Sequence, residues 1–150
     1  MTPKHFPVAP NTRSRPLGVL TVDWITPQIA IGNFLDAQQV SSEVDAILCL
    51  KERCCDMGRT DVDVLSIPLI DGGGNDKRKI ADAIAYIQDV AAAGERILVH
   101  CHAGRSRSVA VVVRYLMETQ GLTSDKALAI VKAARDVYLS PGIEEIFRAG

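Results

Sequence analysis

Residues 99–108, VHCHAGRSRS, join two strongly apolar segments of a 150-residue chain. The apolar run 97–99 leads into this stretch, and the apolar run 109–113 follows it. A loop that only reversed the direction of the chain would not need two histidines, a cysteine and two arginines. We therefore expect a buried strand, a loop that carries reactive side chains, and a buried helix, in that order.

The rest of the chain alternates short apolar runs with helical stripes. Apolar runs predict strands at 28–31, 45–50, 62–69 and 96–100. Apolar residues at helical spacing predict helices at 79–93, 106–120 and 123–135, with a last short helix at about 141–147. This alternation predicts an α/β fold whose central, mostly parallel sheet of about four to five strands is flanked by helices.

Length and composition predict one globular domain. The chain is 47% hydrophobic and 23% charged, with a formal net charge of −1. Residues 1–20 are rich in proline and polar groups, so we expect an extended arm there and a domain at 21–150. The near-neutral charge disfavours a nucleic-acid partner bound by bulk positive charge. No apolar run is long enough to span a membrane.

The cysteines lack the spacing of a metal site. Four are present, Cys49, Cys54, Cys55 and Cys101, and none forms the CxxC pairs typical of zinc sites. We expect free thiols and neither a metal nor another cofactor. Because the first residues also lack the apolar segment of a secretory signal, the expected location is the cytoplasm.

The predicted loop has the features of an anion-binding cradle. Ligands of open α/β sheets bind at the carboxyl ends of strands, and this loop leaves such an end and enters a helix. Its backbone N–H groups and the positive end of the helix dipole favour an anion. Gly104 lets the backbone curl around that anion, and the planar guanidinium of Arg107 suits two phosphate oxygens. The residues assigned to phosphate binding are His102, Ala103, Gly104, Arg105, Ser106 and Arg107.

Cys101 is the candidate nucleophile of this cradle. A helix N-terminus and a nearby arginine favour the thiolate form of a cysteine, which is its nucleophilic form. The hydroxyl of Ser108 is a candidate for stabilising the sulfur when it departs. We expect His100 to be buried and to fix the loop by hydrogen bonds, and His102 and Arg105 to face the rim.

Residues 100–108 resemble the HCxxGxxRS signature of cysteine-dependent protein phosphatases, most closely their dual-specificity branch. Weaker similarities at 25–32, 67–71 and 139–147 extend the resemblance over roughly residues 23–147. The resemblance implies a protein-tyrosine-phosphatase-like fold and a two-step hydrolysis that requires no metal. In such a reaction Cys101 forms a cysteinyl-phosphate in the phosphate-binding loop, and an aspartic acid protonates the leaving oxygen.

Two carboxylates compete for the role of this acid. Asp71 lies two residues after the end of the predicted strand 62–69, whereas Asp76 lies beyond three consecutive glycines. We favour Asp71, because the end of a strand places it beside the cradle. The glycines between the two are either a hinge for a closing loop or part of a tolerant surface loop.

The leading hypothesis is a monomeric phosphatase that acts on phosphotyrosine and also on phosphoserine or phosphothreonine in proteins. A first alternative is a phosphatase of phosphoinositides, inositol phosphates or RNA 5′ ends. A rhodanese-like sulfurtransferase and an inactive phosphate-binding module are further alternatives. Oxidation of Cys101 by pairing with Cys49, Cys54 or Cys55 also stays open, against the plainer reading of Cys49 as a small buried hydrophobic residue.

Overall fold

The computed structural model of the chain describes residues 21–54 and 58–148. The expected arm at 1–20 and Cys55 lie outside these residues. No helix in the described part combines the length and the apolar character that a membrane crossing requires. The described elements are β1 (Asp23–Trp24), β2 (Ile29–Gly32), α1 (Phe34–Gln39), β3 (Ala46–Cys49), β4 (Asp63–Ser66), α2 (Lys77–Ala92), β5 (Ile97–His100), α3 (Arg107–Gln120), α4 (Ser124–Ala134) and α5 (Glu145–Arg148).

The strands form one five-stranded sheet in the order β1-β2-β5-β3-β4. Strand β1 is antiparallel to β2, and all other pairs are parallel. The last residue of the central strand, His100, lies level with Gly32 of β2 and Cys49 of β3. The loops after three parallel strands therefore meet at the middle of one sheet edge, where ligands of such sheets bind. The predicted α/β sheet is confirmed.

The two faces of the sheet bury different parts of the core. Because side chains alternate along a strand, Ala30, Ile47 and Leu98 face one side, where they pack with residues from α1 and the neighbouring loops. Ile97 and Val99 face the other side, which α2, α3, α4 and α5 cover. Burying one aliphatic side chain completely contributes about 1.5–3 kcal/mol to the free energy of unfolding. The buried residues of the central strands therefore hold the ends of these strands, and the loops that follow them, in place.

Helix α1 was not predicted from the sequence. It has six residues, of which only Asp36 and Ala37 are buried, so it is too short to show a helical period. A capping box fixes its start: the Asn33 carboxamide accepts the Asp36 N–H at 2.8 Å, and the Asp36 carboxylate accepts the Asn33 N–H at 2.8 Å.

The predicted elements exist, but several of their bounds were wrong by a few residues. The strand predicted at 62–69 is Asp63–Ser66, although the Leu69 N–H beyond its end still donates to the Leu50 carbonyl oxygen at 3.1 Å. Helix α2 begins at Lys77, because Asp76 is its N-cap and accepts the Arg78 N–H at 2.8 Å. The last helix begins at Glu145 rather than near residue 141.

Candidate active site

The loop after β5 is held from inside the protein by His100. This side chain is buried, and its Nδ1 lies 3.1 Å from the backbone carbonyl oxygen of Cys101. Because a carbonyl oxygen only accepts hydrogen bonds, the contact places the ring proton on Nδ1. The expectation of a buried histidine that fixes the loop by a hydrogen bond agrees with this geometry.

The loop turns at Gly104, whose φ is +70°. A Cβ atom at this position would lie 2.6 Å from Nη2 of Arg135 and closer still to the carbonyl oxygen of Gly32. Only glycine combines a left-handed backbone with so close an approach to neighbouring groups. The tight curl therefore depends on contact with β2 and α4 as well as on the loop itself.

Arg135, which the sequence reasoning missed, supports the loop from behind. It follows α4 and is only 3% exposed. Its Nε donates to the carbonyl oxygen of Gly104 at 2.6 Å, and Nη2 donates to that of Ala103 at 3.4 Å. Its Nη1 faces the other way, with the Asp23 carboxylate at 3.0 Å and the Thr21 carbonyl oxygen at 2.6 Å. One guanidinium thus ties the loop to β1 and the chain before it.

The position of Arg135 carries a sequence signal that could have identified it. The buried residues of α4 are Ala127 and Val131, and Arg135 continues their spacing of four residues. A charged residue in register with an apolar stripe indicates a buried charge with a partner. Burial lowers the pKa of Arg135, while the charges of Asp23 and Asp36 act to raise it.

Cys101 lies at the floor of the cleft with Ser108 beside it. The thiol is 2% exposed, and its Sγ is 3.4 Å from the Ser108 hydroxyl oxygen. Ser108 itself is buried in the first turn of α3. A hydroxyl at this distance can donate a hydrogen bond to the sulfur, and the role of Ser108 in stabilising the departing sulfur stays a prediction.

Arg107 brings a buried positive charge to the same cleft, and no carboxylate among the described residues forms an ion pair with it. It is 8% exposed, and Nη1 donates to the carbonyl oxygen of Leu69 at 3.3 Å. Within residues 21–54 and 58–148, its Nε has no hydrogen-bond partner. A buried guanidinium is stabilised by a bound anion, so this arrangement is suited to phosphate.

The start of α3 also leaves backbone donors available. Helices α1, α2 and α4 each have an N-cap side chain that accepts a backbone N–H, from Asn33, Asp76 and Thr123 respectively. Ser106, the N-cap of α3, makes no such bond. Its hydroxyl accepts the Ser140 N–H at 3.0 Å instead. The first N–H groups of α3 are therefore left for an anion.

The cleft above Cys101 has a volume of about 250 Å³. The carboxylic acid candidate Asp71 belongs to its lining, whereas Asp76 caps α2. His102 and Arg105 are exposed around it, which agrees with a position at the rim. The predicted site residues in the lining are Asp71, Cys101, His102, Ala103, Arg105, Ser106 and Arg107; Tyr138 and Ser140 line it as well and were not predicted.

The loop that carries Asp71 is fastened at both ends. The Asn75 carboxamide accepts the Ile70 N–H at 2.7 Å and donates to the Ile70 carbonyl oxygen at 2.9 Å. Gly73 and Gly142 pack so closely that a Cβ on Gly142 would lie 2.6 Å from the Gly73 nitrogen. This contact gives Gly73 a packing role against the segment before α5, and a hinge role for the three consecutive glycines stays a hypothesis.

His102 is stacked on a ring from α1. The ring centroids of His102 and Phe34 are 4.7 Å apart with an interplanar angle of 11°. The Phe34 N–H donates to the His102 carbonyl oxygen at 3.0 Å, and the Lys51 ammonium lies 4.6 Å from the Phe34 centroid. The helix that the sequence did not predict therefore forms one border of the candidate site.

Two of the three cysteines that could pair with Cys101 on oxidation, Cys49 and Cys54, lie within the described residues. Cys49 is buried and lies opposite His100 in the sheet, and Cys54 is half-buried. Neither is bonded to Cys101 as a disulfide. Pairing of either thiol with Cys101 on oxidation stays a prediction.

Comparison with known proteins gives one consistent family. Residues 28–147 match the family model of the dual specificity phosphatase catalytic domain. The human dual specificity protein phosphatase 22 is 37% identical over 116 residues, which are 74% of this chain and 62% of that protein. Its Xenopus tropicalis counterpart is 35% identical over 116 residues, 74% of this chain and 55% of that protein. The chain thus spans less than two thirds of the length of these curated relatives.

Solved structures of the same kind share the fold. The crystal structure of human DUSP28 superposes with a TM-score of 0.77 at 25% identity, covering 85% of this chain and 90% of that one. A mouse putative dual specificity phosphatase complexed with zinc tungstate gives a TM-score of 0.77 at 25% identity, covering 91% of this chain and 89% of that one.

Gly104→Ala is expected to disturb the loop more than the same change at Gly121. Both residues have a left-handed backbone, but a Cβ on Gly121 meets nothing within 4 Å. Gly121→Ala should lower the free energy of unfolding by about 1–2 kcal/mol, and Gly104→Ala by more because of the collision. Urea unfolding measures the loss of stability, and the inhibition constant for inorganic phosphate measures the damage to the loop. If Gly104→Ala and Gly121→Ala changed both quantities equally, the role of Gly104 would be contradicted.

Replacement of Arg135 by Gln is expected to leave the Asp23 carboxylate buried without its cation. Removing one partner of a buried ion pair, while the other partner stays buried, lowers the free energy of unfolding by about 3–5 kcal/mol. Lys132→Gln, an exposed position on the same helix, is the control and should change it by about 0.5 kcal/mol or less. Similar urea midpoints for the two variants would show that Arg135 does not support the loop.

Proposed function

The chain belongs to the dual specificity phosphatase family, and on that premise we propose that it hydrolyses phosphomonoesters in proteins through a cysteinyl-phosphate intermediate. Its substrates are phosphotyrosine and the shorter phosphoserine and phosphothreonine side chains. The observation that carries the proposal is the single cleft in which the Cys101 thiol, the Arg107 guanidinium and the Asp71 carboxyl group meet. We assign this activity to residues 21–150 and expect a monomer in the cytoplasm.

In the first step the sulfur of Cys101 attacks the phosphorus of the bound ester. The sulfur–phosphorus bond forms while the bond from phosphorus to the ester oxygen breaks, and the electron pair stays on that oxygen. Asp71, acting as a general acid, gives its proton to the departing oxygen. Its exposed place in the cleft lining leaves it open to the substrate.

In the second step water attacks the same phosphorus and the sulfur–phosphorus bond breaks. Asp71, now ionised, takes a proton from the water as a general base. The electron pair returns to the Cys101 sulfur, and the Ser108 hydroxyl at 3.4 Å donates a hydrogen bond to it. The products are inorganic phosphate and the free enzyme.

Arg107 and the start of α3 stabilise the charge of the phosphoryl group through both steps. The guanidinium and the uncapped N–H groups are fixed before substrate arrives, because the sheet, His100 and Arg135 hold the loop. Donors that need no rearrangement lower the barrier more effectively than donors in water. This preorganisation is the main contribution of the fold to the reaction.

The alternatives receive less support than a protein phosphatase. The curated relatives reported above carry the name of protein phosphatases, which favours protein substrates over phosphoinositides, inositol phosphates or RNA 5′ ends. A sulfurtransferase has no use for a general acid opposite its cysteine. An inactive phosphate-binding module would not require a candidate nucleophile and a candidate general acid in one cleft.

Cys101→Ser is expected to lower kcat for a phosphotyrosine peptide by about 10³-fold or more, because a serine hydroxyl is a far weaker nucleophile than a thiolate. Cys54→Ser, which changes a half-buried thiol outside the cleft lining, is the matched control and should keep its activity within about twofold. Phosphate release over a panel of phosphopeptides, phosphoinositides and nucleotides measures both. Turnover that survives Cys101→Ser, or thiosulfate sulfurtransfer by the wild type, would refute the proposal.

Asp71→Asn is expected to slow the hydrolysis of alkyl phosphoesters by about 10²–10⁴-fold, the usual contribution of a general acid. Esters with a strongly acidic leaving group need less protonation, so their rate should fall less. Asp76→Asn is the matched control, since asparagine keeps the N-cap of α2. A leaving-group dependence that appears in Asp76→Asn and not in Asp71→Asn would show that the acid is misassigned.

A further inference from the structure

Tyr138 is the most exposed large apolar side chain among the described residues. It is 70% exposed, although the other residues that line the cleft are small, polar or charged. Single exposed aliphatic side chains are common on protein surfaces, but an exposed aromatic ring in the lining of a binding cleft marks a contact surface. The site described above assigns no role to it.

The backbone around Tyr138 is fixed although the ring is exposed. The Tyr138 N–H donates to the Arg105 carbonyl oxygen at 3.0 Å, and the Ser140 N–H donates to the Ser106 hydroxyl at 3.0 Å. Between them, Leu139 packs against the main core. The backbone that carries the ring is therefore joined to the loop 101–107 by two hydrogen bonds.

Two other aromatic rings, those of His102 and Phe34, lie at the other end of the loop and are stacked on each other. Lys51 lies against the Phe34 ring. The Phe34 N–H binds the loop at the His102 carbonyl, whereas the Tyr138 N–H binds it at the Arg105 carbonyl, three residues further along. Tyr138 thus stands at a different part of the rim, with most of its surface open to a substrate.

We propose that Tyr138 determines specificity by packing against the ring of phosphotyrosine when its phosphate lies on the loop 101–107. This inference rests on the proposed function and names the substrate class that the site favours. The phosphate of phosphotyrosine is joined directly to an aromatic ring, so a bound phosphate places that ring at the mouth of the cleft. Phosphothreonine and phosphoserine place only an aliphatic carbon and the peptide backbone there.

The size of the effect follows from aromatic packing. A pair of aromatic rings contributes about 0.5–1.5 kcal/mol beyond the area that it buries. Tyr138→Ala should therefore weaken the binding of a phosphotyrosine peptide by about 3- to 10-fold. Binding of the same peptide with phosphothreonine should change by less than about twofold, since its side chain carries no ring to lose a partner.

The test measures binding in the Cys101→Ser background by titration calorimetry, with two peptides that differ only in phosphotyrosine against phosphothreonine. Tyr138→Phe keeps the ring and should bind both peptides as the parent does. Ile130→Ala removes another exposed apolar side chain, on α4 and outside the cleft, and should change neither affinity. The dissociation constant of inorganic phosphate should be the same with and without Tyr138, because the loop itself is unaltered.

An equal loss of affinity for both peptides, or an unchanged affinity for phosphotyrosine in Tyr138→Ala, would overturn the inference. A large weakening of inorganic phosphate would do so too, since it would show that Tyr138 acts by supporting the loop. The proposed function fails in a different way, through the absence of Cys101-dependent turnover of either peptide by the wild type. The binding comparison requires no turnover, so the two failures are separate.

Discussion

The buried guanidinium of Arg135 is the interaction on which the arrangement of the site depends. It binds two consecutive carbonyl oxygens of the loop after β5, at Ala103 and Gly104, and forms an ion pair with Asp23. Because those carbonyl oxygens are held on the outside of the curl, the N–H groups of the loop are turned inward. A buried ion pair is weak evidence for stability, but it allows only one placement of its partners. Here it fixes the loop against β1 and α4 before any substrate binds.

Each of the other elements around the cleft contributes residues to its lining or to its floor. Strand β5 delivers Cys101 at the centre of the sheet edge, and α3 begins with Arg107 and free backbone donors. The loop after β4 adds Asp71, fastened by Asn75 and packed against the segment that precedes α5. That segment in turn adds Tyr138. The groups to which the proposed mechanism gives a role thus come from separately anchored segments, as preorganised catalysis requires.

The candidate reactive centre could be proposed from the sequence because most of its residues lie close together in the chain. Cys101, Gly104, Arg107 and Ser108 lie within one strand–loop–helix unit, so their mutual placement follows from local geometry. Asp71 was favoured over Asp76 by its place after a strand, and the cleft lining includes the first while the second caps α2. Helix α1 was missed because six residues give no period, and Arg135 because a positive charge near a helix end ordinarily faces water.

The α/β class and most of the strands and helices follow from patterns among neighbouring residues, and the same local patterns predict Cys101 as the nucleophile and an anion-binding loop after β5. Which distant groups surround that loop depends on how the chain packs around the sheet. The ion pair of Arg135 with Asp23, the stack of Phe34 on His102, and the contact of Tyr138 with Arg105 each join segments far apart in the chain. No local pattern encodes such contacts, because packing around the sheet brings these segments together.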